Sequence, residues 1–474
     1  MEANTEITDT KHRIYERMQK IGTAISFVNA NNTHSGNLSM RDPLDPDLFY
    51  ITASGSQGGH LIEQDIVPIH FSGVSWGDAR GSTESTIHRE ILKIPGVNSV
   101  IHAHYMHSTF ISFDTKDKQL FLRFLGTDSH AREEFLFYPV DLIGAYSIGG
   151  VKVGSYEQPV GSSEMEKRIP QYLCENILTI VRGHGPFARG SSPENAFHYL
   201  SVLENSSMLA IFLRRRGIDI GRIQKSIVDS GRDEFFPVDP GIPKINASPK
   251  CEINDPSVLA DFRTRLNYNY RQSIGAFGTG SMSHKISSKE IIFCSMSAVP
   301  ENFEFPLYRT SISFQEDDSL DLRLHKLIYQ NTHQNSCMIT SSPLATAEGM
   351  AILAEEYGME ALLDSKTKIP YLAEDHPVVK PIDGEAIYLN PRVGLVDIWQ
   401  LADMTPDNPI LNMLRRYKGC CIVAGYAVIS TGEATLEQAA HNAASAERIA
   451  RFRSEVFINE KLLDGPSVEV FEPK

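Results

Sequence analysis

The chain repeats itself. "HSGNLSMR" (34–41) answers to "GTGSMSHK" (278–285), and "LFYITASG" (48–55) to "IIFCSMSA" (291–298). "STESTIHREILK" (82–93) pairs with "SLDLRLHKLIYQ" (319–330), and "VNSVIHAHYMHST" (97–109) with "QNSCMITSSPLAT" (334–346). Last, "ILTIVRGHGPFARGSSPENAFHYLSVLENSSMLAIF" (177–212) pairs with "GCCIVAGYAVISTGEATLEQAAHNAASAERIARF" (419–452). Five matched blocks in one order are hard to obtain by chance. They predict a tandem duplication of one domain of ~220 residues, a period too long for a solenoid. The length of 474 residues is also too great for one ordinary core. Between the copies "RDEFFPVDPGIPKINASPKCEINDP" (232–256) is weakly periodic and rich in proline, so it reads as a linker at about 236–256 between domains 1–235 and 257–474.

Within each copy strand-like and helix-like segments alternate. An N-terminal helix over about 9–30 leads to short strands near 36–40 and 48–53. A helix at 82–94 and a strand at 98–105 follow, then a strand at 177–183 and a long helix at 192–215. That is an α/β pattern, a sheet between helices.

"SVIHAHYM" fits a strand, on which side chains alternate faces, so His102 and His104 point the same way. Two imidazoles on one face can chelate one ion. The best candidate for a third ligand is His184, which ends a β-branched apolar run between Gly183 and Gly185. Those glycines let the backbone bend toward a shared centre. Three histidines leave a fourth position open, the pattern of a catalytic metal. Glu84 could fill that position or act as general acid or base beside the metal. The bland alternative is two half-exposed strand histidines and an unrelated turn histidine. His107 falls on the opposite face and reads as structural or substrate-proximal; His88 reads as packing, one turn from Glu84. His34 reads as a pocket-lining or surface loop residue.

The second copy is an internal control. The His-x-His positions there fall near Thr340 and Ser342, within a slip of one residue; His184 becomes Tyr426 and Glu84 becomes Asp321. Joint loss of all three histidines favours one functional set in the first copy and none in the second.

"SGNLS" (35–39), "ASGSQGG" (53–59) and "GSTES" (81–85) are Gly/Ser-rich turns that offer backbone N–H groups and hydroxyls. Ser82 and Thr83 start the predicted helix, where the dipole favours an anion. The set could cradle a phosphate without a lysine. The second copy loses these features too: Asn37 becomes Ser281, Gly55 becomes Ala298 and Thr83 becomes Leu320.

Bulk properties exclude several classes. The formal charge of −14 argues against nucleic acid, which is bound through Lys and Arg on phosphates. No apolar run reaches the ~18–20 residues that span a membrane. The start of the chain lacks an apolar signal core, so a cytoplasmic location is expected. None of the six cysteines (Cys174, Cys251, Cys294, Cys337, Cys420, Cys421) sits in a CxxC spacing, which fits reduced thiols.

Taken together, the blocks resemble the class II aldolase/adducin family, well over the first ~215 residues and faintly beyond. The family pattern is a Gly-Asn-(Leu/Val)-Ser turn, a (Thr/Ser)-Gly turn, a Ser-Ser-Glu helix start, His-x-His and a later His-Gly. Here these are Gly36-Asn37-Leu38-Ser39, Ser54-Gly55, Ser82-Thr83-Glu84, His102-x-His104 and His184-Gly185, with Thr83 in place of the second serine.

The resemblance implies two tandem α/β/α domains, each with a central, mostly antiparallel sheet flanked by helices. It implies a divalent metal, usually zinc, with manganese or cobalt as alternatives, on His102, His104 and His184. Phosphate would sit at Gly36, Asn37, Ser54, Gly55, Ser82 and Thr83, and Glu84 would transfer the proton. The implied activity is that of a metal-dependent lyase: aldolase-type carbon–carbon cleavage of a small phosphorylated sugar or sugar acid, through an enediolate stabilised by the metal. A decarboxylase, an epimerase or a dehydratase of a thio-sugar phosphate would use the same site. Tyr105, Tyr138, Tyr146 and Tyr156 are the possible second acids. A non-catalytic scaffold like the adducin head predicts decayed ligands, which the second copy shows and the first does not. Family members are typically fourfold rings with sites between subunits. A tandem chain could reproduce that ring as a homodimer, the degenerate copy supplying a wall of the site.

Overall fold

The structure, a computed structural model, describes residues 2–31, 34–76, 79–113, 134–241, 253, 255–272, 274–295 and 307–462. Parts of the linker expected at 236–256, including Cys251, and Ala298 in the second half lie outside these residues.

The first half runs α1 (Glu2–Phe27), β1 (Asn37–Arg41), β2 (Leu48–Thr52), β3 (Ile66–His70), α2 (Ser85–Leu92), β4 (Ser99–His102) and α3 (Met106–Ile111). It continues β5 (Phe135–Phe137), α4 (Leu142–Ser147), β6 (Val151–Gly154), α5 (Ser163–Glu175), β7 (Leu178–Val181), β8 (Gly185–Gly190), α6 (Pro193–Arg215), α7 (Ile220–Ser230) and α8 (Arg232–Phe235). The second half runs α9 (Pro256–Arg271), β9 (Ser281–Lys285), β10 (Glu290–Ser295), β11 (Leu307–Ser311), α10 (Leu320–Asn331), β12 (Ser336–Thr340) and α11 (Pro343–Tyr357). It ends with β13 (Val378–Val379), α12 (Gly384–Leu389), β14 (Val393–Val396), α13 (Pro409–Arg416), β15 (Cys420–Val423), β16 (Ala427–Gly432) and α14 (Leu436–Leu462).

Each half builds one eight-stranded sheet, in the orders β3-β2-β1-β4-β8-β7-β6-β5 and β11-β10-β9-β12-β16-β15-β14-β13. Adding eight to each strand of the first order gives the second. Only β6–β7 and β14–β15 are parallel. The mostly antiparallel α/β/α architecture expected from the sequence is therefore the observed one, twice.

Alternation along the strands sorts the core into layers. Phe49, Ile51, Val100 and Phe187 face one way and meet Ile87 and Ile91 of α2 and Met165, Ile169 and Leu173 of α5. Leu38, Met40, Ile101 and Ala188 face the other way, toward α1 and α6. On α1 the buried Ile14, Met18, Ile21 and Ile25 recur three or four residues apart, one helical stripe. This second layer belongs to a core that continues into the C-terminal half. Helix α6 starts where local chemistry says it should: Ser192 accepts from the Asn195 amide at 3.1 Å and Pro193 opens the first turn.

Three boundaries differ from expectation: α1 begins at Glu2 rather than near residue 9, and the other two lie beside the histidines. β4 stops at His102, and α3 begins at Met106, so His104 lies on the short connection rather than in the strand. α2 begins at Ser85 with Glu84 as its N-cap residue, so Ser82 and Thr83 precede the helix.

The ladders also fix which residues correspond between halves. Ser99 lies opposite Gly190, and Ser336 opposite Gly432. His102 therefore corresponds to Ile339 and His104 to Ser341. This corrects the sequence expectation of hydroxyl residues at both places: the first is a branched aliphatic, which cannot bind a cation.

Candidate metal centre

The centre is built where β4, β8 and the turns before β1 and α2 come together. β1 and β4 place Asn37 opposite His102, and β8 places Phe187 on the other side of His102. The His102 ring stacks on Phe187 with centroids 4.1 Å apart and planes 13° from parallel. Its Nδ1 lies 3.0 Å from the Pro186 carbonyl oxygen. A carbonyl only accepts, so Nδ1 carries the proton and Nε2 presents a lone pair to the pocket.

The other two rings converge on that lone pair. His104 Nε2 is 3.0 Å from His102 Nε2, and His184 Nε2 is 3.2 Å from it. One ligand atom from each of the three lies within 4.8 Å of the others, a spacing that could hold a metal ion. Burial keeps all three rings neutral. It pushes His102 well below its ordinary range, assisted by the neighbouring His184 and His104, and holds His104 at about 4. His184 is lowered by burial as well. Neutral imidazoles are the form that binds a metal.

The glycines around His184 do the work expected of them. Gly183 adopts φ +69°, the left-handed turn between β7 and β8. A Cβ on Gly185 would lie 2.2 Å from the Ala103 carbonyl oxygen, so only glycine lets β8 pass the His102–His104 segment closely.

Glu84 is 3% exposed, with Oε2 3.6 Å from His102 Nε2. Asn37 Nδ2 donates to that oxygen at 2.8 Å and to Ser82 Oγ at 3.1 Å. Glu84 Oε1 is buried without a hydrogen-bond partner. An orphaned carboxylate oxygen beside three converging imidazole nitrogens is costly unless a proton donor or a cation occupies the space. The residues present therefore fit a divalent metal.

The turns expected to hold an anion surround this point. His34 Nδ1–H donates to the Gly55 carbonyl at 3.0 Å, tying the first turn to the second. Gly36 and Gly55 adopt φ +76° and +79°. The amides of Ser54 and Ser82 are spent on the carbonyls of Arg80 and Thr52, so only their hydroxyls remain for a ligand.

Other residues singled out in the sequence stand apart. His107 Nδ1–H donates to Glu204 at 2.7 Å and the amides of His107 and Ser108 donate to the same carboxylate, so this histidine anchors α3. His88 is buried against Ser39 Oγ at 2.7 Å and is held at about 3 by burial, a packing residue as expected. Tyr105 donates or accepts with Ser201 in the core, and burial raises its pKa. Asn31, Pro186 and Phe187 were missed. Asn31 Oδ1 accepts the His104 amide at 2.7 Å, and its side chain fills the space beside Gly36. Only its proximity to the Gly-Asn turn could have hinted at this.

In the second half the corresponding place holds Ile339, Ser341, Tyr426 and Asp321. Tyr426 donates its hydroxyl proton to Asp321 Oδ1. Among the described residues no other group of metal-ligating side chains converges as the three histidines do. No described helix is long and apolar enough to cross a membrane.

Residues 16–211 match the profile of a family described as Class II Aldolase and Adducin N-terminal domain. The methylthioribulose-1-phosphate dehydratase of Leptospira biflexa is 26% identical over 212 residues, covering 42% of this chain and 91% of that protein. The L-fuculose phosphate aldolase of Methanococcus vannielii is 28% identical over 199 residues, covering 42% and 90%. Among solved structures, L-fuculose-1-phosphate aldolase from Thermus thermophilus aligns at 23% identity and a TM-score of 0.36, over 43% of this chain and 95% of that one.

Proposed function

We propose, on the premise that residues 16–211 form a class II aldolase and adducin N-terminal domain, that the chain is a metal-dependent lyase of the aldolase type. Its substrate is a small phosphorylated sugar or sugar acid. The catalytic domain is residues 1–235, and residues 257–474 form a second, degenerate domain in which no metal-ligand set converges among the described residues. The observation that carries the reading is the meeting of three neutral imidazole nitrogens beside the unpartnered Oε1 of Glu84.

In this reading His102, His104 and His184 would hold the divalent metal, zinc first and manganese or cobalt as alternatives. Bound there, the ion would supply Lewis acidity toward substrate oxygen. Glu84 moves the proton: its Oε1 is free to take one and its Oε2 is anchored by Asn37. Asn37 thus orients the base and keeps its own Oδ1 unpartnered. Gly36, Ser54, Gly55, Ser82 and Thr83 take the phosphate with hydroxyls and the remaining amides. Phe187, against His102, excludes water from one side of the centre.

A second reading is dehydration of a thio-sugar phosphate, favoured by the similarity to methylthioribulose-1-phosphate dehydratases. Both reactions use a polarised carbonyl and a proton acceptor: cleavage would take the proton of the hydroxyl two carbons from the carbonyl as the carbon–carbon bond breaks, whereas dehydration would take a carbon-bound proton beside the carbonyl and expel the neighbouring hydroxyl as water.

Elemental mass spectrometry of the purified chain and of the His102→Ala/His104→Ala variant tests the core of the proposal. One divalent ion per chain, lost in the variant, is expected. An apoprotein that takes up no metal would overturn it. Incubation with L-fuculose 1-phosphate and with methylthioribulose 1-phosphate then separates the readings: aldol cleavage divides the carbon skeleton, whereas dehydration removes one water and leaves it whole.

A further inference from the structure

Both halves keep a histidine one helical turn after the carboxylate of the site: His88 after Glu84 and His325 after Asp321. Both rings are fully buried, on α2 and α10. An apolar side chain would fill such a place as well, whereas a buried imidazole carries two nitrogens that need partners.

In the second half both nitrogens are used. His325 Nδ1 lies 2.5 Å from Ser283 Oγ, and Nε2 lies 2.9 Å from Ser281 Oγ. Ser281 in turn hydrogen-bonds Asp321 and favours its charged form. A carboxylate accepts, so the Ser281 hydroxyl gives its one proton to Asp321 and takes one from His325 Nε2–H. His325 therefore holds the side chain that holds the carboxylate.

The strand ladders identify the matching chain of residues in the first half. Asn37 lies opposite His102, and Ser281 lies opposite Ile339, the counterpart of His102. Two residues further along each strand, Ser39 matches Ser283. His88 Nδ1 keeps the first link, 2.7 Å from Ser39 Oγ. Asn37 Nδ2 keeps the last, donating to Glu84 Oε2 at 2.8 Å. Between these two links, His88 Nε2 and Asn37 Oδ1 are both buried and both without a hydrogen-bond partner. One can donate and the other accepts, and the second half shows that side chains at these two positions face each other.

We propose that His88 is a positioning residue: its Nε2–H holds Asn37 Oδ1 and so fixes the Asn37 amide with its N–H side toward Glu84. Ser39 donates its hydroxyl proton to Nδ1, which leaves the single proton of the neutral ring on Nε2. An Asn37 amide turned the other way would set its oxygen against the Glu84 carboxylate. A donor on the far side of the amide removes that alternative. His88 touches neither substrate nor metal and acts through Asn37. The inference rests on the proposed function in treating Glu84 as the proton carrier.

NMR of nitrogen-labelled histidine side chains in the full chain tests the hydrogen bond without an assay of turnover. The His88 signals are those lost in His88→Gln. Nε2 is expected to carry the proton and Nδ1 to be bare, and Asn37→Ala is expected to shift the Nε2 signal. A ring protonated on Nδ1 overturns the proposal, as does an Nε2 signal indifferent to Asn37→Ala. Rates with L-fuculose 1-phosphate or methylthioribulose 1-phosphate, whichever is turned over, then test the role. His88→Leu, with folding verified by circular dichroism, is expected to lower kcat by about 10–100-fold while metal content and KM change little. His88→Gln, which places an amide N–H near the position of Nε2, should recover most of that loss. Added to Asn37→Ala, His88→Leu should cost little more, because the residue through which it acts is already gone. Losses that add in full, or a His88→Gln variant as slow as His88→Leu, would show that the ring only fills space. If neither sugar phosphate is turned over, the enzymatic reading fails alone, and the tautomer still decides the hydrogen bond.

Discussion

Tyr426 donates its hydroxyl proton to Asp321 at the place where, in the first half, His184 faces Glu84. The second half has replaced a ligand and a base by a closed hydrogen bond. Both groups are buried, and burial raises the pKa of each. Tyr426→Phe leaves the Asp321 carboxyl without this donor and is expected to cost about 1–3 kcal/mol. Chemical denaturation would show a lower midpoint, and metal content would stay unchanged. An equal loss of metal would mean that the second half contributes ligands after all.

Glu84→Gln keeps the shape of the residue and removes its ability to take a proton. The turnover rate is expected to fall by a factor of about 10²–10⁴, with metal content retained. Loss of the metal in this variant would make Glu84 a ligand rather than the proton carrier.

Gly185→Ala places a methyl group 2.2 Å from the Ala103 carbonyl oxygen, at the junction of β8 with the His102–His104 segment. Backbone cannot yield as a flexible side chain can. A loss of about 1–3 kcal/mol is expected, with weaker metal retention against a chelator because His184 sits on the displaced turn. A variant as stable as wild type would show that β8 has freedom the packing denies it.

His198 and His325 are fully buried away from the metal centre, and burial holds them at about 4 and about 3. Unfolded, each binds a proton as the pH falls through 6.5; folded, neither does until far lower. Each depressed histidine therefore removes about 1.4 kcal/mol of stability per pH unit below 6.5. Glu447, pushed up by burial to about 7, acts in the opposite sense between that value and the ordinary carboxylate range. His88, held at about 3, acts in the same sense as these two, and three histidines outweigh Glu447, so the denaturation midpoint should fall between pH 6.5 and 5. His325→Gln should flatten the slope; a profile flat in the wild type would contradict the burial of these rings.

The doubled architecture was legible because matched blocks preserve both order and apolar alternation, which the sheet requires. The histidine set was legible for a local reason: His102 and His104 sit two apart on an extended segment, and glycines flank His184. Asn31, Phe187 and Glu204 were not legible. Each acts across the fold, through a single contact that no periodicity records. The slip at Ile339 had a similar cause, since small polar residues at 340–342 mimic one another until the ladder fixes the register. Exposure at Met106, Phe110 and Tyr388 was equally invisible, because an apolar residue in a sequence reads as core by default.

Arg216, just after α6, forms an ion pair with the buried Glu348 of α11, which Arg453 also reaches. The residue matching Glu348 in the first half is Ile111, buried and apolar. In a chain made of two similar halves, the first half has two related faces to choose between, that of α11 and that of α3 in another copy. A face that carries Ile111 in place of Glu348 would leave the Arg216 guanidinium, 6% exposed, without its buried partner, at a cost of several kcal/mol. The pair is therefore selective between unlike faces: it suits the seating of the first half on α11 and disfavours its seating on the α3 face of another first half.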